Sequence, residues 1–274
     1  MKEEQEKFKD PFDNEEYLFH YTNRQTLLEH ILYNKQLKFG LLKNLNDPKE
    51  YKHFDFIFKD YNDHIRKSLK INNHIVRVNI INRVVKDYHK KFKIACFSKK
   101  DKNYGPGWAK SRMWAQYGEC QYGACLIFNK KFLLKQIKFE YSTIFEDNVQ
   151  YFKFENIYQT SSELLDKIND FIKNNSLSNH ELEIKVNNLI KEYKTLLLFT
   201  KHVDFEAETE YRIIIETDDS KDKFIDINDS LIGIVVGERF PKAYKNIVGS
   251  EEIGYSELHY QNGHPILLLK SDYL

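Results

Sequence analysis

Residues 202–217, HVDFEAETEYRIIIET, set Glu206, Glu208, Glu210 and Arg212 at every second position. In a continuous strand side chains alternate between faces, so these four share one side. Phe205, Ala207, Thr209, Tyr211, Ile213 and Ile215 share the other, which is the core face. Carboxylates repeated along one face repel one another and raise the pKa of the most enclosed member, an effect that Arg212 offsets as an ion-pair partner. Two uses fit such a ladder: one glutamate facing a cleft, or a solvated sheet edge whose charges discourage aggregation. A second group, His20, Tyr21 and Thr22, closes the strand-like YLFHYT just before a helix, where strand ends commonly line pockets. A third, Asn46, Asp47 and Glu50 around Pro48, is a turn of hydrogen-bond acceptors. It would bind a metal only with oxygen ligands from elsewhere, such as Glu208 or Glu210. In RMWAQYG, Trp114 and Tyr117 lie three apart beside Arg112, a spacing that suits either core packing or the flanking of a planar ligand.

The elements that must position these groups can be read from periodicity. YLFHYT and QLKFG read as strands separated by a helix with Leu27, Leu28, Ile31 and Leu32 on one stripe, preceded by Asn23 as its cap. Residues 51–92 and 161–200 are two helical insertions. Between them stand the strand FKIACFS, a loop broken by Gly-Pro-Gly, the RMWAQYG helix and the strand GACLIF; EYRIII, KFID, LIGIVVG and PILLLK are strands near the end. Residues 1–16 are charged and aperiodic, a loose arm. No repeat or flexible linker divides the remainder, so 17–274 is expected to form one α+β domain.

Composition excludes more than it selects. Lys and Arg total 42 against 41 Asp and Glu, so no overall field draws in nucleic acid or an anionic membrane. Cys96, Cys120 and Cys125 are odd in number and lack metal-ligand spacing, which predicts reduced thiols rather than disulfides or a zinc site. No segment has the apolar core of a signal peptide or of a membrane span, so a cytoplasmic location is expected.

Taken in order, FHYTN, LNDPKEY, ACFS, RMWAQYGECQYGACLIF and ETEYRIII resemble a large bacterial family of unknown function, some members of which are linked to abortive phage infection. The blocks extend from about residue 18 to 240. Leu45 stands where that family usually has an aromatic residue, and Phe205 where a tryptophan often precedes the glutamates. A looser resemblance joins LFHYTNRQTLLEHILYNKQLKFG and ETEYRIII to the ADP-ribosyltransferase fold, with its mixed, mostly antiparallel sheet core.

That second resemblance implies NAD as substrate and no metal. His20 and Thr22, with Tyr21 beside them, would hold the nicotinamide end or its ribose, with Ser98, Arg112, Trp114 and Tyr117 completing the NAD site. Glu210 would bond a ribose hydroxyl and steady the developing oxocarbenium ion, and Glu208 would orient or deprotonate the acceptor. Tyr117 and Tyr104 both suit the middle tyrosine of such sites, while Asn46, Asp47 and Glu50 have no counterpart and suggest a substrate loop. The implied function is a toxin or phage-defence effector that modifies a protein or nucleic acid, with an antitoxin or defence-system partner. Two other readings stay open: a metal-dependent nuclease or phosphoesterase using Asp47, Glu50, Glu208 and Glu210, and a non-catalytic binding or sensor module in which the carboxylates and Arg212 form an ion-pair network.

Overall fold

A computed structural model describes residues 16–45, 71–174, 176–251 and 253–269. The charged arm, apart from Glu16, and the turn carrying Asn46, Asp47 and Glu50 lie outside them.

Strand β1 (Tyr17–Thr22) leads through a short π-helix (Thr26–Leu32) to β2 (Gln36–Leu41). Helix α1 (Ile71–Lys91) precedes β3 (Phe92–Ser98), and α2 (Ser111–Gln116) precedes β4 (Ala124–Asn129). Helix α3 (Lys130–Glu140), capped by the Asn129 side chain, gives way to β5 (Ile144–Asn148) and β6 (Gln150–Phe152). A helical block follows: α4 (Phe154–Lys173), α5 (Asn179–Glu192) and α6 (Lys194–Leu198). Strands β7 (Thr200–His202), β8 (Glu210–Glu216), β9 (Lys223–Asp226) and β10 (Leu231–Val236) come next, then α7 (Lys242–Gly249), β11 (Gly254–Gln261) and β12 (His264–Leu269).

The result is a mixed α+β architecture around a largely antiparallel sheet. Among the described residues the main sheet is antiparallel except between β10 and β11, while β6 and β7 form a separate parallel pair. The feature that makes room for a site is a split beside β3. One edge of β3 is filled from Phe92 to Ser98 by β8. The other edge is shared: β1 meets it at Phe19↔Ser98, and β2 meets it at Gly40↔Ile94 and Leu41↔Lys93. Between those two contacts the strands diverge, leaving a stretch of β3 backbone to be satisfied by something other than a ladder.

Among the described residues three apolar clusters hold the fold. Leu18, Phe39, Phe97, Leu133, Ile137, Ile213 and Ile215 pack beneath one face of the sheet with α3. On the opposite face, Ile94 and Ile214 pack with Ile168, Val186, Ile190 and Leu198 of the helical block and with α1. Phe19, Tyr21, Trp108, Met113 and Trp114 form the third. The alternation of β8 is thus real over Tyr211–Ile215, but both of its faces are buried. Among the described residues no helix is long and apolar enough to cross a membrane.

Candidate functional site

The carboxylate ladder does not form. Val203–Glu208 is a 3-10 helix, and Thr209 takes a left-handed conformation (φ 43°, ψ 53°) before β8 begins at Glu210. Glu206 therefore turns away to an exposed position, where it accepts from the Tyr104 hydroxyl at 3.2 Å. Phe205, Ala207 and Thr209 are not members of the apolar clusters. A β-branched residue is strained at positive φ, so the turn must be imposed from outside. Four hydrogen bonds do this. Ser98 Oγ donates to the Glu208 carbonyl at 2.7 Å, Thr209 Oγ1 donates to the Lys99 carbonyl at 2.7 Å, and the buried Lys110 ammonium bonds Lys99 O at 2.8 Å and Thr209 Oγ1. Burial lowers the Lys110 pKa to about 8 against the pull of Asp101 and Glu208.

The bend brings Glu208 and Glu210 together at a residue that the strand reading leaves out. Lys201 Nζ, on β7, lies 2.7 Å from Glu208 Oε2 and 3.1 Å from Glu210 Oε2, and over the Phe205 ring at 4.5 Å. Arg212 closes the other side of Glu210, with Nε 2.6 Å from Oε1 and Nη2 3.2 Å from Oε2, while Nη1 donates to Leu198 O at the end of α6. All four charged side chains are at most 5% exposed. Burial favours the neutral form of Glu210, but Arg212 and then Lys201 reverse that and hold the pKa at about 2. The backbone N–H of Glu210 donates to the Tyr151 hydroxyl at 2.7 Å. Glu208 Oε1 accepts from the Tyr117 hydroxyl at 3.1 Å.

His20 fills the sheet split. Its Nδ1 lies 2.9 Å from the carbonyl oxygen of Cys96, in the stretch of β3 that neither β1 nor β2 pairs. A carbonyl only accepts, so Nδ1 carries the proton and Nε2 presents a lone pair. Burial lowers the histidine pKa, opposed by the Cys96 bond, which keeps the ring neutral near pH 7. Around this ring lies a cavity of about 350 Å³ lined by His20, Tyr117, Lys201, Glu208 and Glu210, with apolar walls from Phe19, Leu41, Ile94, Phe97 and Met113. That volume is within the range of small-molecule sites.

Other residues expected at the site serve different ends. Trp114 is fully buried, donates its indole N–H to Trp108 O at 2.8 Å and meets the Tyr21 ring edge-on at 5.1 Å. Tyr21 borders the cavity, but its hydroxyl donates to Gly107 O at 2.7 Å. Thr22 is buried and Ser98 lies beneath the turn; neither lines the cavity. Arg112 stacks over Phe205 at 5.0 Å and bonds Asp204 O, also off the cavity wall. Of the expected NAD contacts, Thr22, Ser98, Arg112 and Trp114 thus lie off this cavity, while Tyr21 borders it. Asn46, Asp47 and Glu50 fall outside the described residues. Lys201 had one sequence signal, a lone cation closing the apolar run LLLFTK.

The segment from α2 into β8 that carries Tyr117, Lys201, Glu208, Glu210 and Arg212 is the part of the chain with a family match. A family model described as a protein of unknown function (DUF2971) matches residues 113–213, so over this stretch the chain is similar to that family. No curated protein and no solved structure matches the chain.

Proposed function

We propose that the chain is an NAD-consuming, ADP-ribosyltransferase-like enzyme, a toxin or phage-defence effector that modifies a macromolecule, with the cavity beside β3 as its reaction site. What supports this reading is the convergence of a neutral His20 and two ionisable carboxylates, Glu208 and Glu210, on one apolar-walled cavity at a sheet split. The reaction calls for such a set. When the bond between ribose C1′ and the nicotinamide nitrogen breaks, its electron pair passes to the ring and neutralises the pyridinium, while positive charge grows on C1′ and the ribose ring oxygen. A fixed carboxylate facing that carbon stabilises the charge as it forms, without reorganisation.

The hydrogen bonds favour Glu208 over Glu210 for that contact, reversing the roles the resemblance implies. Both Glu210 oxygens are engaged by Arg212 or Lys201, whereas Glu208 Oε1 accepts from the neutral Tyr117 hydroxyl, which a ribose hydroxyl can replace. His20 Nε2 offers an acceptor to a second substrate hydroxyl or to the carboxamide. Phe19, Ile94, Phe97 and Met113 exclude water from a planar ring. A metal-dependent reaction would compete for the carboxylate oxygens that Lys201 and Arg212 already hold. A binding module without turnover is favoured by one observation, the complete pairing of Glu210.

The test is release of nicotinamide from NAD, with and without cell lysate, by the wild type and by Glu208→Gln. Release that falls at least a hundredfold in the variant supports the enzyme. NAD binding without release supports the binding module, and neither binding nor release overturns both.

A further inference from the structure

We propose that Lys201 is a positioning residue of this site: its ammonium holds the Glu208 and Glu210 carboxylates side by side as anions facing the cavity. The inference rests on the glycosyl-transfer reading for its catalytic meaning, but its physical content stands on the geometry alone.

A lysine ammonium is strongly hydrated, and burying it costs several kcal/mol unless anions surround it. Here one nitrogen is shared by an oxygen of each glutamate, and the side chain is 5% exposed. Two carboxylates converging in a place of low dielectric would otherwise bind a proton between them, as paired acids do. A protonated pair could not stabilise a cation at C1′. Arg212 braces Glu210 from the other side, with bonds to both Glu210 oxygens and to the Leu198 carbonyl. The groups facing the cluster among the described residues include Glu208, Glu210 and Arg212 around the charge, Tyr117 on Glu208, Tyr151 beneath Glu210, the Cys96 thiol hydrogen-bonded to Glu210, and His20 and Lys38 on the cavity wall.

The placement also gives the helical block a part in the site. Lys201 pairs in register with Tyr151 on β6 and follows directly from α6, whose Leu197 and Leu198 are buried with the helices of the block. The register of β7, and so the position of the ammonium, is set by how those helices pack. A substitution inside the block that shifts β7 acts on the glutamates through Lys201.

The experiment follows the glutamate carboxyls by ¹³C NMR titration in wild type, Lys201→Met and Lys201→Arg, with Glu208→Gln and Glu210→Gln providing assignments. In Lys201→Met the pair is expected to take up a proton at least one pH unit higher than in wild type, and in Lys201→Arg to stay within half a unit of it. The acid limb of nicotinamide release is expected to move with the titration. Unchanged carboxyl titration in Lys201→Met overturns the proposal. A shifted titration with an unmoved acid limb overturns its catalytic meaning. If Lys201→Met unfolds, Lys201→Met/Glu208→Gln restores the charge balance and is expected to fold; a double variant no more stable than the single one also overturns the proposal. Absence of release in wild type counts against the glycosyl-transfer reading, while the titration still decides the role of Lys201.

Discussion

Replacing Glu210 by glutamine keeps the shape of the side chain but removes the negative charge between Arg212 and Lys201, and Lys201 then keeps Glu208 alone of its two carboxylates. Two routes give the size of the loss. Breaking a buried ion pair from one side typically costs about 3–5 kcal/mol, because the stranded charge stays buried. Independently, a carboxyl held at about 2 instead of its ordinary 4.5 corresponds to roughly 3 kcal/mol at neutral pH. The agreement predicts a melting temperature lower by about 6–20 °C at pH 7, given roughly 2–4 °C per kcal/mol for a chain of this size. The pH dependence has a definite sign. The folded-state pKa is depressed, so the stabilisation is complete above the unfolded value near 4.5 and is lost as pH falls through about 2. Urea titrations of wild type and Glu210→Gln from pH 7 to pH 2 should converge over that interval. A variant within 2 °C of wild type at pH 7, or a gap independent of pH, would refute the reasoning. This differs from what a solvent-facing strand implies, where the same change would spare the fold.

Three further outcomes are expected. His20→Asn retains an N–H for the Cys96 carbonyl but removes a ring whose pKa burial has lowered from 6.5; wild type should lose stability as pH falls below about 6.5, and the variant should lack that component in a denaturation series. Gly123→Ala places a methyl group 2.2 Å from the backbone oxygen of Thr22, so it should cost about 1–3 kcal/mol in chemical denaturation and displace the end of β1 beside His20. Tyr211→Ala empties a buried position of the cluster under α3 and should cost about 3–5 kcal/mol by urea denaturation.

Much of the sheet was legible because its strands are apolar or alternating runs: YLFHYT, QLKFG, FKIACFS, GACLIF, EYRIII, KFID and LIGIVVG all fall on strands, with Gly123 and Gly237 just outside the ends. Helices were legible too, at Ile71–Lys91 and within 161–198 with the break near NNSLSN, although Phe92 and Thr200, expected at helical ends, lie in strands. Elements that escaped have weak local signals. Strands β5, β6 and β7 are three to five residues long and β5 and β6 are only partly buried, and α3 carries Phe132 and Phe139 on its exposed side, which blurs its stripe.

The ladder failed for a tertiary reason. Nothing in AETEY announces a left-handed threonine, since the turn is held by Ser98 and Lys110 from a strand and a loop about a hundred residues earlier. Lys201 was hidden the same way, because its partners lie beyond a bend that periodicity cannot show. Trp114 illustrates the converse: an aromatic near an arginine suits a ligand in sequence, yet the indole is enclosed by Trp108 and Tyr21.

The central claim is that Glu208 and Glu210 face a nicotinamide-bearing substrate in the cavity. Its most direct test uses NAD labelled separately in nicotinamide and in adenine, incubated with wild type or Glu208→Gln in lysate. The account predicts free nicotinamide label and macromolecule-bound adenine label with wild type, and neither with the variant. Equal release by both proteins, or none by wild type, would contradict it.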